Sequence, residues 1–421
     1  MARKHSKEII QVMHPICCAM DIHKDKISAA LATTGTNGKP EVEIREFCTF
    51  TDDLYRMRDW LIEHQCPIVA MESTGVYWHG PYNVLEERFK VVLVNARHVK
   101  NVPGRKTDIC DAQWLAGLLR HGLLKGSFIP EQHVRQWRDL CRLRKKQVHA
   151  QNNLKRRAQK VLASANIKID SVLSDLFGKS GYALMDLLLQ PLEAITLDEV
   201  KPCLHRKVKA KTPELLRAIQ GFWEDHHRFQ LDLLLRNIAE VQKTIVAIGQ
   251  RLDELMAPHQ DLIDRLDQVP GIDRISAQTI LAEVGPDLDA FLKNANFCSW
   301  AGLCPGNNES AGKRKSGKTP VSKHHFKTTM VEVAWGAIRT NGSFYKEKYY
   351  RLKAKRGTKR AIVAIAHRLA KAIFHIIKYG EHFRDLGAEH IHKHNRTLHI
   401  RRLHRLADSL GYVLVPLPSN S

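Results

Sequence analysis

Three short apolar runs in succession, ahead of any helical pattern, constrain this chain more than any other feature. PICCAMDI (15–22), KISAALATT (26–34) and EVEIREFCTF (41–50) have the composition of strands, and Gly35, Asn37 and Gly38 mark the turn before the third. Strands and helices then alternate. TDDLYRMRDWLIEHQ (51–65) spaces its apolar residues for a helix, with Thr51 as N-cap. PIVAMEST (67–74) and KVVLVNAR (90–97) read as buried strands on either side of a largely helical VYWHGPYNVLEERF, and GRKTDICDAQWLAGLLR (104–120) opens a helix with Thr107 as its N-cap. Consecutive strands pair as a meander, and strands separated by helices add by crossover. The expected fold of residues 1–128 is therefore a mixed α/β sheet with helices packed on it.

The remainder reads as helical. A basic helical segment runs from Pro130 to about Leu162, and residues 165–210 are helical in parts with no identifiable chemistry. In 229–256, Leu231, Leu234, Ile238, Val241, Ile245, Ile248, Leu252 and Leu255 alternate spacings of three and four, the pattern of a coiled-coil seam. Such a seam needs a partner helix, from this chain or from a second subunit. LDQVPGIDRISAQTILAEVG (266–285) resembles a helix-hairpin-helix, whose glycine turn can present backbone N–H groups to a phosphate. Residues 297–327 are rich in Gly, Ser and Lys and read as loop, followed by helices from about Thr328 and from Gly357 to Tyr379. The organisation expected is a sheet domain (1–128), a helical linker with coiled coil (129–265), a mainly α C-terminal domain (266–380) and a basic tail (381–421).

Charge narrows the partners. The 421 residues carry a net charge of +22, which favours a polyanion. No apolar run approaches the length of a membrane span and MARKHSKEIIQVMH lacks the apolar core of a signal peptide, so nucleic acid in a bacterial cytoplasm is expected rather than a membrane. Residues 96–160 hold 16 Lys/Arg against 4 Asp/Glu and residues 311–371 hold 17 against 2, whereas 213–290 hold 7 against 14. Two basic surfaces thus flank an acidic structural element. The nine cysteines include no Cys-x-x-Cys pair and read as reduced, core-filling thiols. The histidines of HIHKHNRTLHIRRLH read as part of a solvated, polyanion-facing tract.

Against this basic background four carboxylates stand out. Asp21 closes the first strand and Glu72 ends the fourth; on neighbouring strands both project from one sheet edge. Asp108 and Asp111, three residues apart at the start of a helix, share a helix face. Acids at a helix start are good capping chemistry, but capping does not account for Asp21 or Glu72. Converging carboxylates need a cation, and an all-oxygen donor set suits Mg²⁺ or Mn²⁺. Such ions activate a nucleophile and stabilise the leaving oxygen of a phosphodiester, which joins the acids and the basic surface in one chemistry.

With MDIHKD, AMESTGVYW and GRKTDICDAQWLA in place, the first domain resembles the RNase H fold in its RuvC-like form. The chain resembles the DEDD-type transposases of insertion sequences, the group that includes Piv-type DNA invertases, over residues 15–125 and 265–340. The resemblance implies that Asp21, Glu72, Asp108 and Asp111 are the four metal-holding acids. It also implies a serine in a Pro-x4-Ser-Gly context that becomes joined to DNA as a 5'-phosphoserine. PGNNESAGK matches at Pro305 and Ser310, with Ala311 where glycine is usual, and Ser316-Gly317 is the second candidate. Better-known members are guided by a bridge RNA encoded in the element, so DNA and a guide RNA are the implied partners. Candidate phosphate contacts are Arg105, Lys106, Lys313, Arg314, Lys315, Lys318 and Lys323. The seam suggests a homo-oligomer, a dimer or tetramer.

Two alternatives make different predictions. A Holliday-junction nuclease would use the same acids with water as nucleophile, and Ser310→Ala would leave it active. In a non-catalytic architectural protein, Asp108→Asn would change nothing beyond a slight gain in DNA affinity.

Overall fold

The fold is that of a computed structural model, which describes residues 11–35, 39–72, 75–95, 111–191, 195–306, 308–310, 313–320 and 324–415, with the backbone alone at 308–310, 313–316 and 391–399. The chain divides into two compact units, Met1–Gln132 and His133–Ser421. A mixed α/β sheet makes the first, and the second is mostly helical.

In the first unit β1 (Cys17–Ile22), β2 (Lys26–Thr34) and β3 (Pro40–Cys48) form the antiparallel meander, in register from Cys17↔Ala32 to Ile22↔Ile27 and from Lys26↔Cys48 to Thr34↔Pro40. Helix α1 (Thr51–Glu63) leads to β4 (Ile68–Glu72), and α2 (His79–Leu85) to β5 (Lys90–Val94). β4 pairs parallel with β1 and β5 parallel with β4, giving the order β3-β2-β1-β4-β5. Helix α3 (Asp111–Arg120) completes the unit. Thr51 is not the N-cap of α1: Phe50 occupies that position with no side-chain bond, and Thr51 is the first helical residue, with Asp52 and Asp53 meeting the helix dipole instead.

Strand β1 is a continuous apolar run because it is covered on both faces. Cys18, Met20 and Ile22 join Val69, Met71, Leu54, Met57 and Leu85 in the core beneath α1 and α2. Cys17 and Ala19 face the other way, with Ile68 and Ala70 of β4, into a second core closed by Ala112, Leu115, Ala116 and Leu119 of α3. Small residues on that face let α3 approach closely. β3 is an edge strand, and its Glu41, Glu43, Arg45 and Glu46 keep it soluble and discourage edge pairing.

In the second unit α4 (Gln132–Ser164) is the spine. Its C-terminal part packs Ala158 and Leu162 with Leu184 of α5 (Lys179–Leu189), Leu215 of α6 (Thr212–Ile219) and Leu231 at the start of α7 (Asp225–Met256). Further along, Gln151 donates to Gln242 of α7 at 2.8 Å, so α4 and α7 run antiparallel. The long seam therefore meets a helix of its own chain along part of its length. Leu231, Ile238, Ile248 and Leu252 are buried, while Leu234, Val241, Ile245 and Leu255 are half-buried.

Beyond the seam lie α8 (Gln260–Asp267), α9 (Arg274–Val284), α10 (Asn294–Trp300), α11 (His325–Ala337), α12 (Phe344–Arg356), α13 (Thr358–Tyr379) and α14 (Ala388–Ser409). The turn between α8 and α9 holds Gly271 at φ +81°, and a Cβ there would meet Val333 O at 2.3 Å and Ala337 N at 2.4 Å. Close approach to α11, opposite Gly336, is what requires glycine at this turn. The segment expected to be loop contains regular structure: FCSW belongs to α10, and β6 (Asn308–Ser310) pairs antiparallel with β7 (Lys313–Ser316). The basic tail contains the 22-residue helix α14.

Candidate active site

The strand pattern that builds the sheet also places the acids. Successive side chains alternate faces, so Asp21 falls with Cys17 and Ala19, and Glu72 with Ile68 and Ala70, on the face covered by α3. The parallel register pairs Met20 with Met71, and Asp21 and Glu72 come one step later on adjacent strands spaced ~4.8 Å apart. Helix α3 runs opposite to β1. The Cys17 Sγ lies 3.8 Å from Ala116 O, and the buried Arg120 guanidinium donates to Pro15 O at 2.9 Å and Thr34 Oγ1 at 2.8 Å. The N-terminus of α3, with Asp111 as its first residue, therefore points toward the carboxyl end of β1 and β4, where Asp21 and Glu72 stand. Asp21 and Glu72 are neighbours at one strand end and the start of α3 lies toward that end, but among the described residues the carboxylates of Asp21, Glu72 and Asp111 do not gather within 4.8 Å of one another. Asp108, Arg105 and Lys106 lie outside the described residues, as does Thr107.

Asp21 and Glu72 are half-buried and Asp111 is exposed, so the carboxylates are reachable from solvent. His23 Nε2 lies 3.2 Å from Asp21 Oδ2. Beside it opens a cavity of about 470 Å³, lined by Ile22, His23, Lys24, Asp25, Lys26 and Tyr77. Sequence reasoning passed over His23, although its place two residues after Asp21 on the strand end was a visible signal.

The serine segment belongs to the second unit. Gly306 N–H donates to Lys318 O at 2.9 Å and closes the base of the β6–β7 segment, in which Ser310 pairs with Lys313 and Ser316 with Asn308. Ser310 is thus the last paired residue of β6, and Ser316 stands at the opposite end of the ladder. Lys313, Arg314 and Lys315 belong to β7, and Lys318 is exposed after it. Lys323 lies outside the described residues. At the foot of this segment Lys327 Nζ donates to Pro320 O at 2.9 Å, and His324 packs edge-on against Trp300.

Close to His324 and its neighbour His325 lies an ion-pair network that the sequence did not signal, because its partners are some 140 residues apart. Glu283 of α9 is buried, and Arg142 of α4 donates to both its carboxylate oxygens at 2.9 Å. Arg138 donates to the backbone oxygens of Ala282 and Glu283 at 3.2 and 2.6 Å. Burial, opposed by Glu283 and reinforced by the Arg138 and Arg142 charges, holds the His324 and His325 imidazoles below the ordinary histidine range. His324 Nδ1 is buried without a hydrogen-bond partner among the described residues.

One further group has metal-ligating chemistry: Glu224, His226 and His227 gather their donor atoms within 4.8 Å. Here the Glu224 N–H donates to His227 Nδ1, reciprocal capping at the start of α7, which accounts for the cluster. No helix among the described residues is long and apolar enough to cross a membrane.

Comparison with known proteins bears on both halves of this arrangement. Residues 18–167 match the DEDD transposase family of the IS110 type, and residues 263–350 match the transposase family IS116/IS110/IS902. Two proteins of Sinorhizobium fredii are similar. "Putative transposase y4pF/y4sB" is 29% identical over 161 residues, covering 37% of this chain and 41% of that protein. "Putative transposase y4qE" is 24% identical over 343 residues, covering 79% of this chain and 74% of that protein. The first family match spans the strands that carry Asp21 and Glu72 together with α3, the second spans Ser310 and its flanking helices, and on these grounds the chain belongs to the IS110 family of insertion-sequence transposases.

Proposed function

We propose that this protein cuts and rejoins DNA strands to mobilise an insertion sequence, with the first-unit acids holding Mg²⁺ or Mn²⁺ and Ser310 as the attacking nucleophile. The observation that carries this reading is the placement of Asp21 and Glu72 side by side on parallel strands, at the end toward which α3 brings Asp111. The order β3-β2-β1-β4-β5, antiparallel through the first three and parallel beyond, is the one expected of an RNase H-like, RuvC-type domain and supports it. The donor chemistry suits the ion: Asp21 and Glu72 offer hard carboxylate oxygens, half-buried, on adjacent strands.

A divalent cation held there would stabilise the charge that develops on the scissile phosphate and favour the serine alkoxide. Asp21, Glu72, Asp111 and, by family resemblance, Asp108 would hold that cation. Ser310 Oγ attacks phosphorus, the bond from phosphorus to the 3'-oxygen breaks, and that oxygen leaves as a hydroxyl with the proton the serine gave up. The 5'-phosphate stays on Ser310 as an ester. A 3'-hydroxyl from another strand then attacks the ester, restores the phosphodiester and releases the serine. One bond replaces another at each step, so the reaction needs no nucleotide hydrolysis.

Arg105, Lys106, Lys313, Arg314, Lys315, Lys318 and Lys323 are the phosphate contacts in this reading, with a bridge RNA and DNA on the two basic blocks. A dimer or tetramer would supply the acids and the serine of one composite site. The test is incubation with Mg²⁺, the element's non-coding transcript and labelled target DNA, followed by denaturing gels with and without protease. A slow, protease-sensitive DNA band that disappears in Ser310→Ala is expected. Free cleaved ends without an adduct, unchanged in Ser310→Ala, would sink the serine mechanism in favour of a water-driven nuclease.

A further inference from the structure

The second unit contains a cavity of about 430 Å³ between the start of α12, one face of α13 and the segment 381–386, whose lining includes the rings of Phe344, Tyr345 and Phe383 and the cations Arg368, Lys371 and Arg384 beside two acids, two histidines and three aliphatic side chains. The walls are pinned. Asp385 Oδ1 accepts the Phe344 N–H at 3.0 Å and the Gly387 N–H at 2.8 Å, and Glu381 lies 3.2 Å from His375 Nδ1. Arg265 reaches across to Gly380 O at 3.1 Å, and Ala388 N–H donates to Gly342 O at 2.9 Å. Those bonds occupy both acids of the lining in holding the loop.

The cations of the lining are not so occupied. Arg368, Lys371 and Arg384 are exposed and make no hydrogen bond or ion pair with a carboxylate among the described residues. Arg368 and Lys371, three residues apart on α13, present their charges from one helix face. The Arg368 guanidinium lies 5.7 Å from the Phe344 ring centre, and the rings of Tyr345 and Phe383 stack nearly parallel, 19° apart. Unpaired guanidinium and ammonium groups around the half-buried Phe344 and Phe383 rings and the buried Tyr345 suit a ligand with a phosphate and a flat π-face. The volume lies within the range of sites for single small molecules and is far too narrow for a duplex.

We infer that this cavity receives one unpaired nucleotide of a single strand, its base against the half-buried rings of Phe344 and Phe383 and its phosphate on Arg368, Lys371 and Arg384. The inference rests on the reading of the chain as a nucleic-acid enzyme and adds to it a subsite in the helical unit. Stacking supplies the preference for an unstacked base, because every base has a π-face and a paired one cannot turn it to a protein ring. The cavity does not choose between deoxyribose and ribose. A displaced DNA strand and an unpaired stretch of guide transcript share the required chemistry.

The full chain is titrated with fluorescently labelled oligo-dT and oligo-U of eight residues, and with a duplex of equal length, in chelator so that no strand chemistry intervenes. In Arg368→Ala/Lys371→Ala, affinity for single strands is expected to fall at least tenfold and for duplex less than twofold. Phe344→Leu is expected to weaken single strands alone, and circular dichroism checks that each variant is folded. Tighter binding of oligo-U would identify RNA as the source and tighter binding of oligo-dT a DNA strand, both in support. Equal losses for single strand and duplex, or no loss, would overturn the inference by leaving only a general electrostatic surface. Covalent attachment plays no part in the assay, so failure of the serine mechanism would leave its outcome readable.

Discussion

Asp21 and Glu72 stand side by side on parallel strands, one register step beyond Met20 and Met71, on the sheet face that α3 covers. Both sit at the rim of the core rather than inside it, so their removal should separate activity from stability. Asp21→Asn and Glu72→Gln are each expected to reduce strand cleavage by more than about a hundredfold. Half-buried rim positions such as these should shift the melting temperature by only about 2 °C. Cleavage gels and thermal melts on the same preparations check both; an active Glu72→Gln would remove this residue from the site.

Glu283 answers to the guanidiniums of α4 from inside the second unit. Glu283→Gln leaves Arg138 and Arg142 without their anion and is expected to cost about 3 kcal/mol. Arg142→Gln introduced into that background should cost less than it does alone, because the charge it removes has already lost its partner. Denaturant titration of the four proteins measures the coupling, and strictly additive effects would refute it.

The histidines at the foot of the serine segment carry a pH dependence of known sign. Burial lowers the His324 and His325 pKa values in the folded chain below the ordinary value of 6.5, so the unfolded chain binds protons first on acidification. Their contribution is complete above pH 6.5 and is lost as the pH falls from there through the folded values. His324→Gln/His325→Gln should therefore flatten the decline in melting temperature between pH 7 and pH 5. The groups that face them, Glu283, Arg138, Arg142 and Lys145, remain in the variant, which isolates the imidazoles. An unaltered slope would show that the decline originates elsewhere.

Gly271 and Gly336 meet backbone to backbone. Gly271→Ala combines a positive φ with a Cβ 2.3 Å from Val333 O and is expected to destabilise the second unit by roughly 3 kcal/mol. Gly336→Ala places its Cβ 2.9 Å from Gly271 Cα and should act in the same direction. If the turn serves packing, DNA affinity per folded molecule stays unchanged in both variants. A selective loss of DNA binding with full stability would instead favour the phosphate-presenting hairpin.

The sequence by itself determined the elements of the first unit and where along its strands Asp21 and Glu72 fall. Apolar runs of six to nine residues, broken by glycine and asparagine, allow little except a meander, and β2 occupies the expected residues 26–34. Alternation along β1 and β4 puts Asp21 and Glu72 in phase with Ala19 and Ala70 whatever partner each strand takes. Tertiary structure alone decided which acids share an end, because that depends on β1 pairing with β4 across a crossover and on α3 running opposite to β1. It also decided what the seam of α7 meets, since an apolar stripe specifies burial and not the identity of the covering helix. The Glu283–Arg142 pair and the aromatic–cationic cavity were illegible for the same reason. Each joins residues from separate helices whose sequence environments are ordinary, and only packing brings their charges and rings together.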